Sequence, residues 1–199
     1  MDILCSDLEG VFIPEIWINV AEKTGIEELK LTTRDISDYD ELMKKRLAVM
    51  DKHGLKLKDI TDVIAAIEPM EGAVETLTWI REQTQIIILS DTFEEFAQPL
   101  MKKLGFPTLL CHSLTIDHNG RITGYKLRQQ NQKKNAVKAL QNLNYRVIAF
   151  GDSYNDTAML KQADYGFFFM PPESILKDFP KIAVTRNYDE LKKMITSVL

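Results

Sequence analysis

Short apolar runs alternate with amphipathic stretches along this chain. The runs ILCS (3–6), IIILS (86–90), TLLC (108–111), RVIAF (146–150) and YGFFF (165–169) lack the every-other-residue polar position of a half-exposed strand. Unbroken runs of this length predict strands covered on both faces, as in a parallel sheet. Between them, Phe93, Phe96, Leu100 and Leu104 recur at helical spacing, and so do Ala136, Val137, Leu140 and Leu143. Thr92 and Glu95 have the capping-box spacing, which predicts the start of the first of these helices. Strands alternating with helices of this length predict an α/β fold with a doubly wound parallel sheet.

Two segments depart from that alternation. Residues 14–68 contain no strand pattern and read as helices at about 15–24, 38–53 and 57–67, the second capped by Ser37 with Asp40 at the third position. They predict a helical insertion after the first strand, dividing the chain into a core of residues 1–13 and 69–199 and a cap of residues 14–68. The stretch LTIDHNGRITGYKL (114–127) has two β-like runs around Asn119-Gly120, a strong hairpin signal. No Pro/Gly/Ser-rich linker separates cap from core, so the two are expected to pack together.

Composition narrows the functional classes. At 199 residues with 45% hydrophobic positions, the chain suits one domain with an insertion. A net charge of −4 argues against a nucleic-acid surface. No apolar run approaches a membrane span, and the N-terminus lacks the basic region of a signal peptide, so a cytoplasmic protein without a membrane partner is expected. Cys5 and Cys111 lie in apolar runs and read as reduced, packed thiols. His53, His112 and His118 have no metal-ligand spacing and read as surface or structural residues. Trp17 and Trp79 sit in helical patterns and read as packing residues.

The chemistry gathers at strand ends. In open α/β sheets, ligands bind beyond the carboxyl ends of the strands where strand order reverses. The first strand ends in Asp7-Leu8-Glu9, the 86–90 strand in Ser90-Asp91-Thr92, and the 146–150 strand in Gly151-Asp152-Ser153-Tyr154-Asn155-Asp156. Lys133 and Lys134 open the helix before that last strand. Carboxylates, a hydroxyl and a lysine together suit phosphoryl transfer, which needs positioning and charge neutralisation. Hard oxygen ligands such as Asp7 and Asp152 suit Mg²⁺. No G-x-x-x-x-G-K-[ST] occurs, which excludes a P-loop. Taken singly, these residues have structural explanations: Asp7 and Glu9 as a loop-capping pair, Ser90 as a helix cap, the lysines as a solvated helix start.

DLEGV (7–11), ILSDT (88–92), Lys133 and GDSYND (151–156) resemble the four motifs of the haloacid dehalogenase-like hydrolases, and the resemblance spans the chain. Within that superfamily the sequence is similar to the phosphoserine phosphatases. Its wording DLEGV, ILSDTF and GDSYNDT resembles that of bacterial members that move phosphate from phosphoserine to homoserine. The resemblance implies a Rossmann-like core with a small cap after the first strand. It implies Asp7 as the nucleophile that becomes an aspartyl phosphate, and Glu9 as general acid and then base. Asp7, the Glu9 carbonyl and Asp152 would hold Mg²⁺, with Asp156 bracing that shell. Ser90 and Lys133 would bind phosphate, with Lys134 as the other candidate, and Asp91 and Asn155 would belong with them to the substrate-binding set. The chain departs from the pattern twice: Glu9 stands where the wider family has Asp, and Asp91 where many phosphoserine phosphatases have Gly.

Phosphoserine is a zwitterion with a phosphate, so its site needs an anion for the ammonium and a cation for the carboxylate. Glu15, after Pro14, resembles the family's ammonium-binding glutamate, and Arg46 in MKKRLAVM its carboxylate-binding arginine. Each also has a plain reading: Glu15 as a favourable charge on a first helical turn, Arg46 as part of a solvated face beside Lys44 and Lys45. The expected partners are therefore L-phosphoserine and L-homoserine, in serine or threonine biosynthesis, with the protein a monomer or homodimer. Two other readings compete. One is a phosphatase for another small phosphomonoester. The other is a receiver-like signalling module, which would lack both the long helical insertion and the G-D-x-x-N-D turn.

Overall fold

A computed structural model of the protein describes residues 1–32, 35–36 and 38–199. Its sheet is built on β1 (Asp2–Ser6). β2 (Gln85–Phe93), β3 (Thr108–Ile116) and β4 (Ile122–Lys126) lie in turn on one side. β5 (Arg146–Gly151), β6 (Tyr165–Phe169) and β7 (Ala183–Thr185) lie on the other. All neighbours pair in parallel except β3 and β4, which form the antiparallel hairpin expected around Asn119-Gly120. The order reverses at β1, so the carboxyl ends of β1, β2 and β5 share one crevice.

The unbroken apolar runs have the predicted cause. Leu4, Ile148, Phe150, Phe167 and Phe169 enter one core, while Ile3, Cys5, Val147, Ala149 and Phe168 enter a second on the opposite face. Alternate residues of a strand face opposite ways, so a sheet covered on both sides needs apolar residues at every position. The first core is closed by α4 (Ala73–Gln83) and α9 (Tyr188–Val198), the second by α6 (Gln132–Asn142), α7 (Thr157–Gln162) and α8 (Glu173–Asp178). Leu143, assigned by spacing to the α6 face, lies past the helix end and is exposed.

Residues 14–68 carry α1 (Ile16–Thr24), α2 (Tyr39–Lys52) and α3 (Leu57–Ala65), with a 3₁₀ turn over Glu27–Lys30 and no strand among the described residues. They share the first core: Val20, Ile60 and Ile64 join Phe93, Phe96 and Leu100, the last two on α5 (Glu94–Lys103), and Trp17 meets Phe96 edge-on at 5.6 Å. The β3–β4 hairpin clasps the insertion from the side. Leu57 N–H donates to the Gly120 carbonyl at 2.9 Å, Arg121 makes a two-pronged ion pair with Asp51, and Tyr125 donates its hydroxyl to Asp40.

Two capping expectations need correction. Thr92 does not start α5: it lies in β2, and the helix begins at Glu94. Glu95 instead accepts the Leu114 N–H at 2.9 Å, which ties α5 to β3. The local pattern lost to strand pairing, which resumes at Phe93 after an interruption. Ser37 lies outside the described residues, and the cap of α2 is Asp38, whose carboxylate accepts the Glu41 N–H at 2.9 Å.

Gly166 shows how tightly the layers meet. A Cβ there would lie 2.1 Å from the Leu160 carbonyl oxygen, in backbone that cannot swing aside. Gly166→Ala is expected to push α7 off β6 and cost about 1–3 kcal/mol, read as a lower urea midpoint. An unchanged midpoint would contradict that packing.

Candidate active site

Asp7 follows directly on β1 and is 4% exposed. Its Oδ1 accepts the Leu8 N–H at 2.7 Å, and its Oδ2 lies 2.8 Å from the Lys133 ammonium. Lys133 sits in the first turn of α6 and is equally buried, whereas Lys134 points to solvent. The choice that spacing left open is thus a matter of helix phase, set by Asn131 in a left-handed conformation (φ 48°) just before α6.

The same ammonium donates to Asp156 Oδ1 at 2.8 Å and lies 3.9 Å from Asp91 Oδ2. Asp156 is fully buried, and its Oδ2 accepts the Asp152 and Ser153 N–H groups, both at 3.0 Å. That fixes the turn after β5. The turn also requires glycine at two places, which motif reading passed over. A Cβ at Gly151 would lie 2.4 Å from the Asp156 carboxyl carbon. A Cβ at Gly10 (φ 72°) would lie 2.4 Å from an Asp152 oxygen.

Carboxylate oxygens of Asp7, Asp152 and Asp156 come within 4.8 Å of one another, all from buried residues. One ammonium faces three carboxylates, and the donor set is all hard oxygen. This triad could bind a metal ion, and its chemistry fits a hard divalent cation. The charge imbalance shows in the ionisation. Burial, with the charges of Asp156 and Asp152, holds the Asp7 carboxyl well above the ordinary range despite Lys133. Burial also works against the charge of Lys133, but Asp156, Asp7 and Asp91 outweigh it and keep that lysine protonated.

Glu9 lies in the same pocket. Its Oε2 accepts the Ile16 N–H at 2.8 Å and so caps α1, for which Glu15 makes no side-chain cap. Burial, and then the charge of Glu15, push its carboxyl up to about 8. At neutral pH it therefore holds a proton to give, as a general acid must.

Glu15 and Arg46 line this cavity of about 80 Å³ together with Asp7, Glu9, Ser90, Asp91, Asp152 and Asn155. Arg46 is buried with its guanidinium 4.5 Å above the Trp17 ring. One nitrogen donates to the Leu31 carbonyl at 2.9 Å, while its Nε finds no partner among the described residues. Burial brings its pKa down to about 10, so it stays charged. It is not a solvated lysine-like face residue: it keeps donor capacity beside the pocket. Ser90 is buried, its hydroxyl accepting the Thr92 N–H at 3.3 Å.

The structure thus brings the candidate residues to one place, with the exception of Lys134. It adds two that sequence reasoning missed. Gln132 donates to the Ser90 carbonyl and to Asp91 Oδ1, and Tyr39 donates its hydroxyl to the Asp91 carbonyl at 2.9 Å. Neither carries a local signal, since their partners lie about 40 to 50 positions away in the chain. Asp91, the unexplained anion, is held well below the usual carboxylate range. Burial would raise it, but Lys133 and hydrogen bonds from His112, Gln132 and Asn155 prevail.

Replacing the shared cation tests this arrangement. Lys133→Met leaves buried carboxylates without their counter-charge and is expected to destabilise the fold by about 3–5 kcal/mol, measured by chemical denaturation without divalent ions. A loss below about 1 kcal/mol, the scale of an exposed pair, would show that Lys133 does not hold the cluster together.

Comparison with known proteins agrees with this geometry. Residues 7–164 match the haloacid dehalogenase-like hydrolase family. The chain is 58% identical to phosphoserine phosphatase ThrH of Pseudomonas aeruginosa over 193 residues, covering 97% of this chain and 94% of that protein. It is 57% identical to a phosphoserine phosphatase of Pseudomonas syringae, over 97% of this chain and 81% of that one. A crystal structure of a phosphoserine phosphatase in apo form superposes with a TM-score of 0.78 at 21% identity, covering 96% of this chain and 98% of that one, which shows the shared fold. With buried carboxylates at the switch point of a doubly wound sheet and a match across motifs one to four, this chain belongs to the haloacid dehalogenase-like hydrolases.

Proposed function

We propose that this hydrolase removes the phosphate of L-phosphoserine with the help of Mg²⁺ and also transfers it to L-homoserine, through an aspartyl phosphate on Asp7. The observation that carries the reading is the composition of one cavity. The buried Asp7, the Glu9 carboxyl group and the Ser90 hydroxyl share it with an anion, Glu15, and a guanidinium, Arg46, whose Nε has no partner among the described residues. Those opposite charges suit the ammonium and carboxylate of an amino acid. The names of the Pseudomonas relatives point to the same substrate.

In the first half-reaction an Asp7 oxygen attacks phosphorus and the bond to the serine oxygen breaks. Glu9 passes its proton to that oxygen, and serine leaves. In the second, the Glu9 carboxylate takes a proton from water or from the homoserine hydroxyl. The oxygen so activated attacks phosphorus, the bond to Asp7 breaks, and Asp7 returns as a carboxylate. Phosphate or phosphohomoserine is released. Lys133 stays charged throughout and offsets the phosphoryl oxygens, while Ser90 donates its hydroxyl to one of them. Asp7 and Asp152, with Asp156 bracing the turn, would hold Mg²⁺, which when bound would supply positive charge beside the phosphoryl oxygens. Residues 14–68 act as the cap: α1 starts on Glu9 itself, so the segment that covers the pocket is tied to the group that moves the proton.

³¹P NMR with L-phosphoserine and Mg²⁺, with and without L-homoserine, tests the reading. Phosphate is expected in both samples and a phosphohomoserine resonance in the second. Phosphate alone in both would remove the transferase half, and an unchanged phosphoserine signal would overturn the substrate assignment. Glu15→Gln and Arg46→Ala are each expected to raise the KM for phosphoserine by roughly tenfold or more, the scale of one charge-assisted contact. Unchanged kinetics in both would show that another phosphomonoester is the substrate.

A further inference from the structure

Asp91 has no part in the steps above, yet it is a carboxylate beside the place where phosphate would bind. The sheet explains how it comes to be there. β2 pairs with β3 in register to Leu89–Leu110, the pairing breaks, and it resumes at Phe93–His112. Such an interruption re-aims side chains, often beside active sites. Here it sets Asp91 against His112. Both Asp91 oxygens are then occupied by the protein. Oδ1 accepts from Gln132 Nε2 at 3.1 Å and lies 3.5 Å from His112 Nε2. Oδ2 accepts from Asn155 Nδ2 at 3.0 Å and faces Lys133 at 3.9 Å.

His112 is fixed in turn. It is 4% exposed, packs edge-on to Tyr39, and its Nδ1 accepts the Arg128 N–H at 3.1 Å. A ring nitrogen that accepts carries no proton, so the proton of the neutral ring sits on Nε2, the nitrogen facing Asp91.

We propose that Asp91 and His112 are a positioning pair: the Arg128 backbone sets the His112 tautomer, His112 orients Asp91, and Asp91 fixes Lys133 and Asn155 around the phosphoryl group. The proposal rests on the phosphoryl-transfer reading. Among the described residues, Lys133 otherwise has partners only on the Asp7 and Asp156 side. Once Asp7 becomes an acyl phosphate its carboxylate charge is lost to Lys133, and Asp91 remains beside Asp156 to hold the ammonium in place. This gives the Gly-to-Asp departure in motif two a purpose. Asp91 touches substrate only through the residues it holds, so it acts on turnover rather than on affinity.

The test compares Asp91→Asn, His112→Phe and His112→Gln on phosphoserine and on p-nitrophenyl phosphate, with thermal midpoints confirming that each variant folds. Asp91→Asn and His112→Phe are expected to lower kcat roughly 10–100-fold on both substrates, as loss of an orienting partner does. The KM for phosphoserine should stay within about threefold of wild type. His112→Gln keeps an N–H for Asp91 and is expected to restore most of the rate. In ¹⁵N-resolved NMR of the wild-type protein, His112 should show a protonated Nε2 and a bare Nδ1, and Asp91→Asn should move the Nε2 signal. Near-normal kcat in both Asp91→Asn and His112→Phe, or a proton on Nδ1, overturns the pair. Wild-type protein that turns over p-nitrophenyl phosphate but not phosphoserine would fail the substrate reading alone, leaving the pair to be judged on the former.

Discussion

Everything at this site depends on how one buried ammonium is shared. Lys133 lies 2.8 Å from Asp7 and 2.8 Å from Asp156 and faces Asp91 at 3.9 Å. The three carboxylates come from β1, the turn after β5, and β2, so the lysine joins the carboxyl ends of three neighbouring strands. Buried charge is tolerated only when paired and hydrogen-bonded. One positive charge does not balance that many carboxylates. The structure meets part of the imbalance with backbone N–H groups on Asp156 and with amide donors on Asp91. Oxygens of Asp7, Asp152 and Asp156 also lie close enough together that they could hold a divalent cation.

The helical insertion is tied to the same site. Glu9 caps α1, so the first helix of the insertion starts from the loop after β1, and Tyr39 at the start of α2 reaches the Asp91 backbone. The hairpin holds the other side through Arg121 and Gly120. The insertion is therefore held to the pocket through the pocket's own residues. Arg46 shows the consequence: its guanidinium is carried into the interior by α2, laid on Trp17, and left with donor capacity beside Glu15 and Glu9.

Much of this was legible in the sequence because strand runs end where the chemistry begins. Asp7, Ser90 and Asp152 follow or close apolar runs, and strand order puts those ends together. What the sequence concealed was set by contacts across the chain. Lys133 and Lys134 are indistinguishable by spacing, and the phase of α6 decides between them. Thr92 and Glu95 have the capping-box pattern, yet β2 runs on to pair Phe93 with His112. β7 spans three residues, Ala183–Thr185, too short to show a pattern. His112 read as an ordinary structural histidine because its partners, Asp91 and Arg128, sit on other segments.

The Asp7–Asp152–Asp156 cluster, which meets Lys133 through Asp7 and Asp156, could receive a divalent cation before substrate arrives. Thermal unfolding of the substrate-free protein against Mg²⁺ concentration tests it most directly, because a ligand that binds only the folded state raises the midpoint. The expected midpoint rises with Mg²⁺ in the wild-type protein and stays flat in Asp152→Asn. No rise in the wild type, or an equal rise in both, would contradict it.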